Sequence, residues 1–448
     1  MTTYHEMTTR STVSVKTIGC RLNQAESLGM ARDFEAAGYE VVPFGARSDV
    51  VVIHGCAVTA KAEKDCFRLA RAAARRRPRP FIVLAGCVAE IAGADPAGAG
   101  VVDLAAGQAD KRRLPGLLAA RGYGAAVAPG QKNTRAAGLS PADPDCRTRA
   151  LVKVQDGCDF RCAYCVVPAA RGPSRSRPLR EILEEVRALV GAGFLEVVLT
   201  GANIGCYDDG GQKLVALLSA IDRVRGLARF RISSIELSTV EREVIDFMAG
   251  SEKFCRFLHL PLQSGDDIIL RAMRRRYSTA CYRALLEYAA GKLGRVGLGA
   301  DVIAGFPGED ADSFERTRAF VVSLPLSRLH VFEYSIRPGT DAAGMPGHVP
   351  AAERKRRVSE LIRIGRAAGS GFARSFIGRP VSVLVEDIAA PGHGRGWTGE
   401  YVRMRVSGPG LKPNCIVNAR ALAFDESAEM LVGTVEYIQQ GISNVQVS

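Results

Sequence analysis

The first third of the chain alternates short apolar runs with stretches whose apolar residues recur every three or four positions. Runs 12–17, 49–53 and 81–85 predict strands, and 26–37 and 60–77 predict helices between them. Strands that alternate with helices build a parallel sheet covered by helices. The stretch 122–145 has no such period, is rich in Gly, Pro and Ala, and reads as a linker.

A second alternating series begins near residue 147. Its predicted strands are 150–155, 196–201, 229–235, 257–263, 297–305 and 328–335, with helices such as 179–190 and 280–292 between them. Six strand–helix units fit a partial (β/α)6 barrel better than a closed barrel of eight. A long helix is predicted over 351–376. The period then shortens to two: Val381, Val383 and Val385 alternate with Ser382 and Leu384. The run 391–399, PGHGRGWTG, reads as a turn cluster, followed by strands at 401–406, 415–422 and 431–438. That pattern is a small all-β barrel. The expected organisation is an open parallel α/β domain (10–122), a linker (123–145), a partial (β/α)6 barrel (146–375) and a β-barrel (376–442).

Composition narrows the class. The 448 residues are 47% apolar and 24% charged, which excludes a mainly disordered chain, a collagen-like repeat and a coiled-coil rod. The net charge of +13 favours a polyanionic partner. The excess lies before residue 371, because 371–448 hold 7 basic and 7 acidic residues. No run of about 18 apolar residues predicts a membrane span. The start of the chain is polar and carries no leader pattern. The expected compartment is the reducing cytoplasm. There, clusters among the 12 cysteines mean metal or redox chemistry sooner than disulfides.

Two constellations stand out. Cys158-Asp159-Phe160-Arg161-Cys162-Ala163-Tyr164-Cys165 is a CxxxCxxC loop just after a strand. Thiolates suit zinc or iron–sulfur clusters. A structural zinc site closes with four ligands, and no fourth Cys or His stands nearby in sequence. Three thiolates hold three irons of a 4Fe–4S cube and leave the fourth iron open. The second constellation is dispersed. Gly19-Cys20, Gly55-Cys56 and Gly86-Cys87 each end one of the three strands of the first domain. The carboxyl ends of strands in an open parallel sheet share one edge, so the three thiols are expected to converge. The other six cysteines show no such grammar.

CxxxCxYC after the first strand of a (β/α)6 series resembles the radical S-adenosylmethionine (SAM) superfamily, in which the open iron chelates SAM. With both triplets, residues 12–440 resemble its methylthiotransferase branch. The matching elements are Gly19-Cys20-Arg21-Leu22-Asn23-Gln24-Ala25-Glu26-Ser27, Gln155-Asp156-Gly157-Cys158 with Pro168 and Arg171-Gly172, the run 259–265, the run 301–309 and the run 334–340. The C-terminal segment looks like the RNA-binding TRAM module. The runs 147–157 and 174–177 look most like the type that acts on N6-threonylcarbamoyladenosine in tRNA. Sister types act on isopentenyladenosine or on a ribosomal-protein aspartate. The chain departs from the pattern at His54-Gly55, where Asn-Thr is commoner, and at Ala169, where an aromatic is commoner.

The resemblance implies a transferase with two 4Fe–4S clusters and SAM, the metal ligands being Cys20, Cys56, Cys87, Cys158, Cys162 and Cys165. One SAM methylates sulfur at the first-domain cluster. A second is cleaved to a 5′-deoxyadenosyl radical that takes hydrogen from C2 of the adenine. The resemblance further implies a tRNA anticodon stem-loop as partner and an external low-potential electron donor. No side chain is assigned as catalytic, because the cofactors carry the chemistry. Barrel geometry adds candidate SAM contacts at strand ends: Thr200, Gly201 and Ala202 for the amino group, Ser234 and Glu236 for the ribose, Ile303 and Gly305 for the adenine, with Tyr164 packing nearby. Arg161, Arg171, Arg175, Arg177 and Arg180 are candidate phosphate contacts, extended by 274–276 and 354–357. Trp397 and Tyr401 are candidates for stacking on RNA. The rival classes are a non-catalytic iron–sulfur electron carrier and a zinc-containing RNA-binding protein.

Overall fold

The computed structural model describes residues 10–92, 100–124 and 148–439. The predicted linker from 125 onward, with Cys146 and Arg147, lies outside the described residues, as do 1–9, where most of the polar start falls.

The first unit is a five-stranded parallel sheet, in the order Glu40–Val41, Thr12–Ile18, Val50–Gly55, Phe81–Ala85, Leu104–Ala106. Its central strand Val50–Gly55 is buried along its whole length, because apolar clusters cover both faces of the sheet. That two-sided burial explains a continuous apolar run where a half-exposed strand would alternate. The two edge strands, of 2 and 3 residues, were not expected from the sequence. They are too short to carry a period. Helix Arg21–Ala36 starts at Cys20. Helix Ala60–Ala74 is capped by Thr59, whose hydroxyl accepts from the Ala62 amide.

The central unit has the six parallel strands that were expected. They run as two three-stranded segments: Arg149–Lys153, Glu196–Thr200, Arg229–Ile232, then Phe257–His259, Gly297–Ala304, Arg328–Glu333. The segments join where Cys255 N donates to Phe230 O (2.8 Å) and Ile235 N to His259 O (3.0 Å). Among the described residues no ladder pairs the first strand with the last, so the barrel stays open on one side. Alternate residues such as Val152, Leu199, Ile232 and Val302 face an apolar core shared with the helices. Their neighbours face the lumen, and many are charged. There Glu196 is fully buried between Arg229 (2.5 Å) and Arg231 (2.7 Å). Burial would raise its carboxyl, but Arg231 and Arg229 lower it to about 2. Helix Arg21–Ala36 covers the start of the series, with Ala25 packed on Leu151 and Val198.

The C-terminal unit is a closed five-stranded barrel: Pro380–Ala390, His393–Thr398, Arg403–Ser407, Met430–Gln439, Ile416–Asp425. One sequence reading needs correction. The 391–399 run is not a turn cluster, because His393–Thr398 is a strand. Its glycines serve close strand packing. A Cβ on Gly396 would lie 1.9 Å from Leu384 O.

The Trp397–Tyr401 turn of this barrel forms the floor of the central one. Arg229 donates to Trp397 O (2.9 Å), and Arg231 to Thr398 O and Gly399 O (3.4 Å each). Tyr401 stacks on Phe257 with ring centres 4.7 Å apart. Trp397 and Tyr401 are therefore occupied inside the molecule, which overturns the expectation that they stack on RNA.

Candidate functional site

The CxxxCxxC loop follows the first barrel strand at its carboxyl end. Gln155 braces it, donating to Asp156 O (2.9 Å), Gly157 O (2.8 Å) and Ser174 Oγ (2.9 Å), and accepting from Asn203 N (2.8 Å). Gly157 has φ +70°, and a Cβ there would lie 1.9 Å from Pro173 O, so only glycine fits. Ala163 is pinned on both sides: its N donates to Met273 O (3.0 Å) and its O accepts from Ala342 N (2.8 Å). Burial, then Cys162 and Cys158, push the Cys165 thiol up to about 12. Burial also raises Cys158. Arg275 donates to Cys162 Sγ (3.2 Å) and is ion-paired with Glu236.

Cys20, Cys56 and Cys87 lie close enough to influence one another's thiols. Burial, then Cys20, push Cys56 up to about 12, with a further contribution from Cys87. Cys87 is raised by burial and feels Cys20. Cys20 Sγ donates to Asn23 Oδ1 (3.2 Å), Val58 N donates to Cys56 Sγ (3.3 Å), and Gln108 Nε2 donates to Cys87 Sγ (3.3 Å). The three glycines also make room for neighbouring protein atoms. A Cβ on Gly19 would meet Cys56 Cβ at 2.9 Å, on Gly55 Val88 at 2.4 Å, and on Gly86 His54 at 2.4 Å.

The two trios are held together by the short helix Val167–Arg171, just past Cys165. Val166 and Ala170 pack against Ala57 and Cys87. Arg171 donates to both oxygens of Glu26 (3.1 Å each), to Asp156 (2.8 Å) and to Asn23 (2.9 Å). Lys111 and Lys153 each reach Glu26 at 2.6 Å. Burial would raise the Glu26 carboxyl, but Arg171, Lys111 and Lys153 hold it well below the usual carboxylate range. Three cations thus meet two carboxylates beside the second trio, and the surplus positive charge suits thiolates. Metal binding removes the thiol protons that burial alone retains. The donor set therefore fits one 4Fe–4S cluster on each trio.

Other sequence candidates divide. Tyr164 and Ile303 join one apolar cluster with Phe306 beside the cysteine loop. Gly201 abuts Gln155, with a Cβ there 2.8 Å from Oε1. Thr200 is buried, and Ala202 and Ser234 are half-buried at the strand ends. Glu236 is taken up by Arg275, and the Gly305 amide by Glu309 Oε1 (2.9 Å). The phosphate candidates are corrected. Arg171 is buried in the network above, Arg275 lies against Cys162, and Arg357 is buried against Glu309 (2.7 Å). Arg177 is half-buried on Lys153 O and Glu185, both 2.7 Å away. Arg161, Arg175 and Arg180 stay exposed. Of the unassigned cysteines, Cys206 stands out. Burial and then Cys158 raise its thiol to about 11. Sequence grammar missed it because it comes from a different strand end.

A partial parallel barrel with a three-cysteine loop at its carboxyl edge defines a radical SAM enzyme. Residues 152–321 match the radical SAM superfamily, and residues 12–107 match the uncharacterized protein family UPF0004. The chain is 35% identical to the threonylcarbamoyladenosine tRNA methylthiotransferase MtaB of Bacillus subtilis, over 84% of this chain and 85% of that protein. It is 34% identical to the Thermotoga maritima MtaB, over 88% and 90%. It is 32% identical to the tRNA-2-methylthio-N(6)-dimethylallyladenosine synthase of Mycobacterium tuberculosis H37Ra, over 91% and 79%. The radical SAM methyltransferase TsrM of Kitasatospora setae shares the fold, with TM-score 0.55 and 14% identity, over 75% of this chain and 77% of that one. The chain belongs to the tRNA methylthiotransferases of the radical SAM superfamily, and its cofactors are SAM and 4Fe–4S clusters.

Proposed function

We propose that this enzyme adds a methylthio group to C2 of N6-threonylcarbamoyladenosine at position 37 of tRNA, beside the anticodon. The convergence of two thiol trios on either side of one short helix carries the reading. Cys158, Cys162 and Cys165 would hold the cluster that binds SAM, and Cys20, Cys56 and Cys87 the cluster that bears the transferred sulfur. Together with SAM these groups supply a radical that activates a C–H bond and a methylated sulfur to join that carbon. The protein holds the trios at fixed separation through Arg171 and Glu26, and Gln155 and Gly157 set the loop that carries the first. Neutral thiols without a metal would leave the Arg171 surplus uncompensated. Electrons come from an external low-potential donor.

The choice of threonylcarbamoyladenosine is supported by the names of the MtaB relatives. A dimethylallyladenosine relative matches a similar length of chain at slightly lower identity, so the test separates the two. Mass spectrometry of tRNA nucleosides from cells with and without this gene is expected to show loss of 2-methylthio-N6-threonylcarbamoyladenosine alone. Loss of the methylthio-isopentenyl nucleoside instead would overturn the assignment, as would unchanged nucleosides with loss of a methylthio-aspartate from a ribosomal protein.

A further inference from the structure

The last barrel strand, Arg328–Glu333, presents alternate residues to the lumen. Leu329 and Val331 pack toward the helices, and Glu333 pairs with Arg354 at 2.9 Å. Arg328, His330 and Phe332 therefore share the opposite face. The three have very different surroundings. Arg328 lies over the Trp397 and Tyr401 rings at the floor (5.8 and 5.1 Å). His330 donates from Nδ1 to Asp301 Oδ1 (3.1 Å), and its Nε2 accepts from Arg328 Nε (2.8 Å), which sets its tautomer. His259 Nε2 donates to the same Asp301 oxygen at 2.7 Å. With Nε2 of His330 taken by a guanidinium and both imidazoles bonded to one carboxylate, this layer is a closed hydrogen-bond set. It is not an open metal site.

Phe332, one layer above, is different. It is 44% exposed, an unusual state for a phenylalanine on the inner face of a barrel. Its ladder partner is Ile303, which belongs to the apolar cluster with Tyr164, next to Cys165. Three residues on, Ser335 Oγ accepts from Ala60 N (3.0 Å) in the segment that follows Cys56. The strand that carries Phe332 thus lies beside the cluster next to one trio and leads to a contact with the segment that follows a cysteine of the other. Val58, two residues past Cys56, is also an exposed apolar side chain, 49% accessible. A bare aromatic face at the mouth, above a polar layer and a closed floor, fits a flat heteroaromatic ring and not a chain or an ion.

We propose that Phe332 is the platform on which the target purine of the RNA stacks when it enters the barrel mouth between the two thiol trios. The proposal rests on the tRNA-modifying reading above. It is tested with the full chain, anaerobically reconstituted with iron and sulfide, and two anticodon hairpins that differ only in carrying adenine or an abasic sugar at the target position. The wild type is expected to bind the adenine hairpin about tenfold more tightly, the scale of one base stacked on an aromatic ring. Phe332→Leu is expected to bind both hairpins alike, and Phe332→Tyr to restore the difference. Iron per chain and circular dichroism report whether each variant is folded. A Phe332→Leu protein that keeps the full preference for adenine would overturn the platform. So would a variant that keeps that preference and loses SAM affinity, because Phe332 would then serve the cofactor. A wild type that binds neither hairpin better than an unrelated RNA would remove the tRNA reading itself.

Discussion

Arg171 and Glu26 lie 145 positions apart in sequence, yet the guanidinium donates to both carboxylate oxygens at 3.1 Å. This pair couples the unit that carries one thiol trio to the unit that carries the other. Replacing Arg171 with Met removes the bidentate partner of Glu26 and a bond to Asp156, while Lys111 and Lys153 still reach Glu26. Because the two lysines keep both carboxylates compensated, a loss of about 1.5–3 kcal/mol in unfolding free energy is expected, the scale of lost charged hydrogen bonds, measured by anaerobic urea titration. The Glu26 carboxyl lies below its unfolded value of about 4.3, so its contribution is complete above that pH. It fades as pH falls through the lower folded value. The difference between wild type and Glu26→Gln is therefore expected to shrink on acidification.

Each trio is expected to account for its own iron. Replacing Cys158, Cys162 and Cys165 with Ala leaves about four irons per chain and abolishes release of 5′-deoxyadenosine from SAM under reduction. Replacing Cys20, Cys56 and Cys87 also leaves about four irons. This second variant is expected to release 5′-deoxyadenosine and to form no methylthio product. Iron analysis and chromatography of the nucleosides check both.

Tyr401 supplies a spectroscopic signal. Burial would raise its phenol, but Arg21, Arg149 and Arg231 lower it to about 8. The Arg21 Nη2 donates to its oxygen at 2.6 Å. An acid with a folded pKa below its unfolded value of about 10 adds stability as pH rises through that window, and the gain is lost as pH falls through the folded value. Ultraviolet titration is expected to show one tyrosinate forming near pH 8 in the wild type and none there in Tyr401→Phe. Stability against urea is expected to rise from pH 8 to 10 on the order of 2 kcal/mol more in the wild type.

Burial sorts the arginines for RNA contact. Arg161 and Arg175 are exposed beside the cysteine loop. Arg161→Gln with Arg175→Gln, which puts no new carboxylate beside Asp156, is expected to weaken tRNA binding and to reduce its dependence on log salt by about 2, with iron content unchanged. An unaltered salt slope would show that these side chains do not meet phosphate. Arg177 is a poorer test, because its pairing with Glu185 at 2.7 Å makes charge reversal disturb the fold.

Much of the architecture was legible because it is local. The period-two and three-to-four patterns announced the parallel sheet, the six barrel strands and the closed C-terminal barrel. The edge strands Glu40–Val41 and Leu104–Ala106 were not legible, since 2 and 3 residues carry no period. Strand His393–Thr398 was hidden by its glycines, which signal turns unless a neighbouring strand is known to lie against them. The cysteine loop was legible from spacing alone. The dispersed trio was legible because each Gly-Cys pair ends a strand of one parallel sheet.

By itself the sequence determined where the strands end and which cysteines follow them, because local period does not depend on distant partners. Only the tertiary structure decided what the charged and aromatic residues do. Arg171 and Arg175 read alike along the chain, yet one is buried against Glu26 and the other is mostly exposed, touching the network only at its edge. Tyr401 read as an RNA contact and closes the barrel floor, whereas Phe332 drew no notice and stands open at the mouth. A side chain's charge or ring acts through the dielectric and the partners around it, and those are contributed by residues far away in sequence.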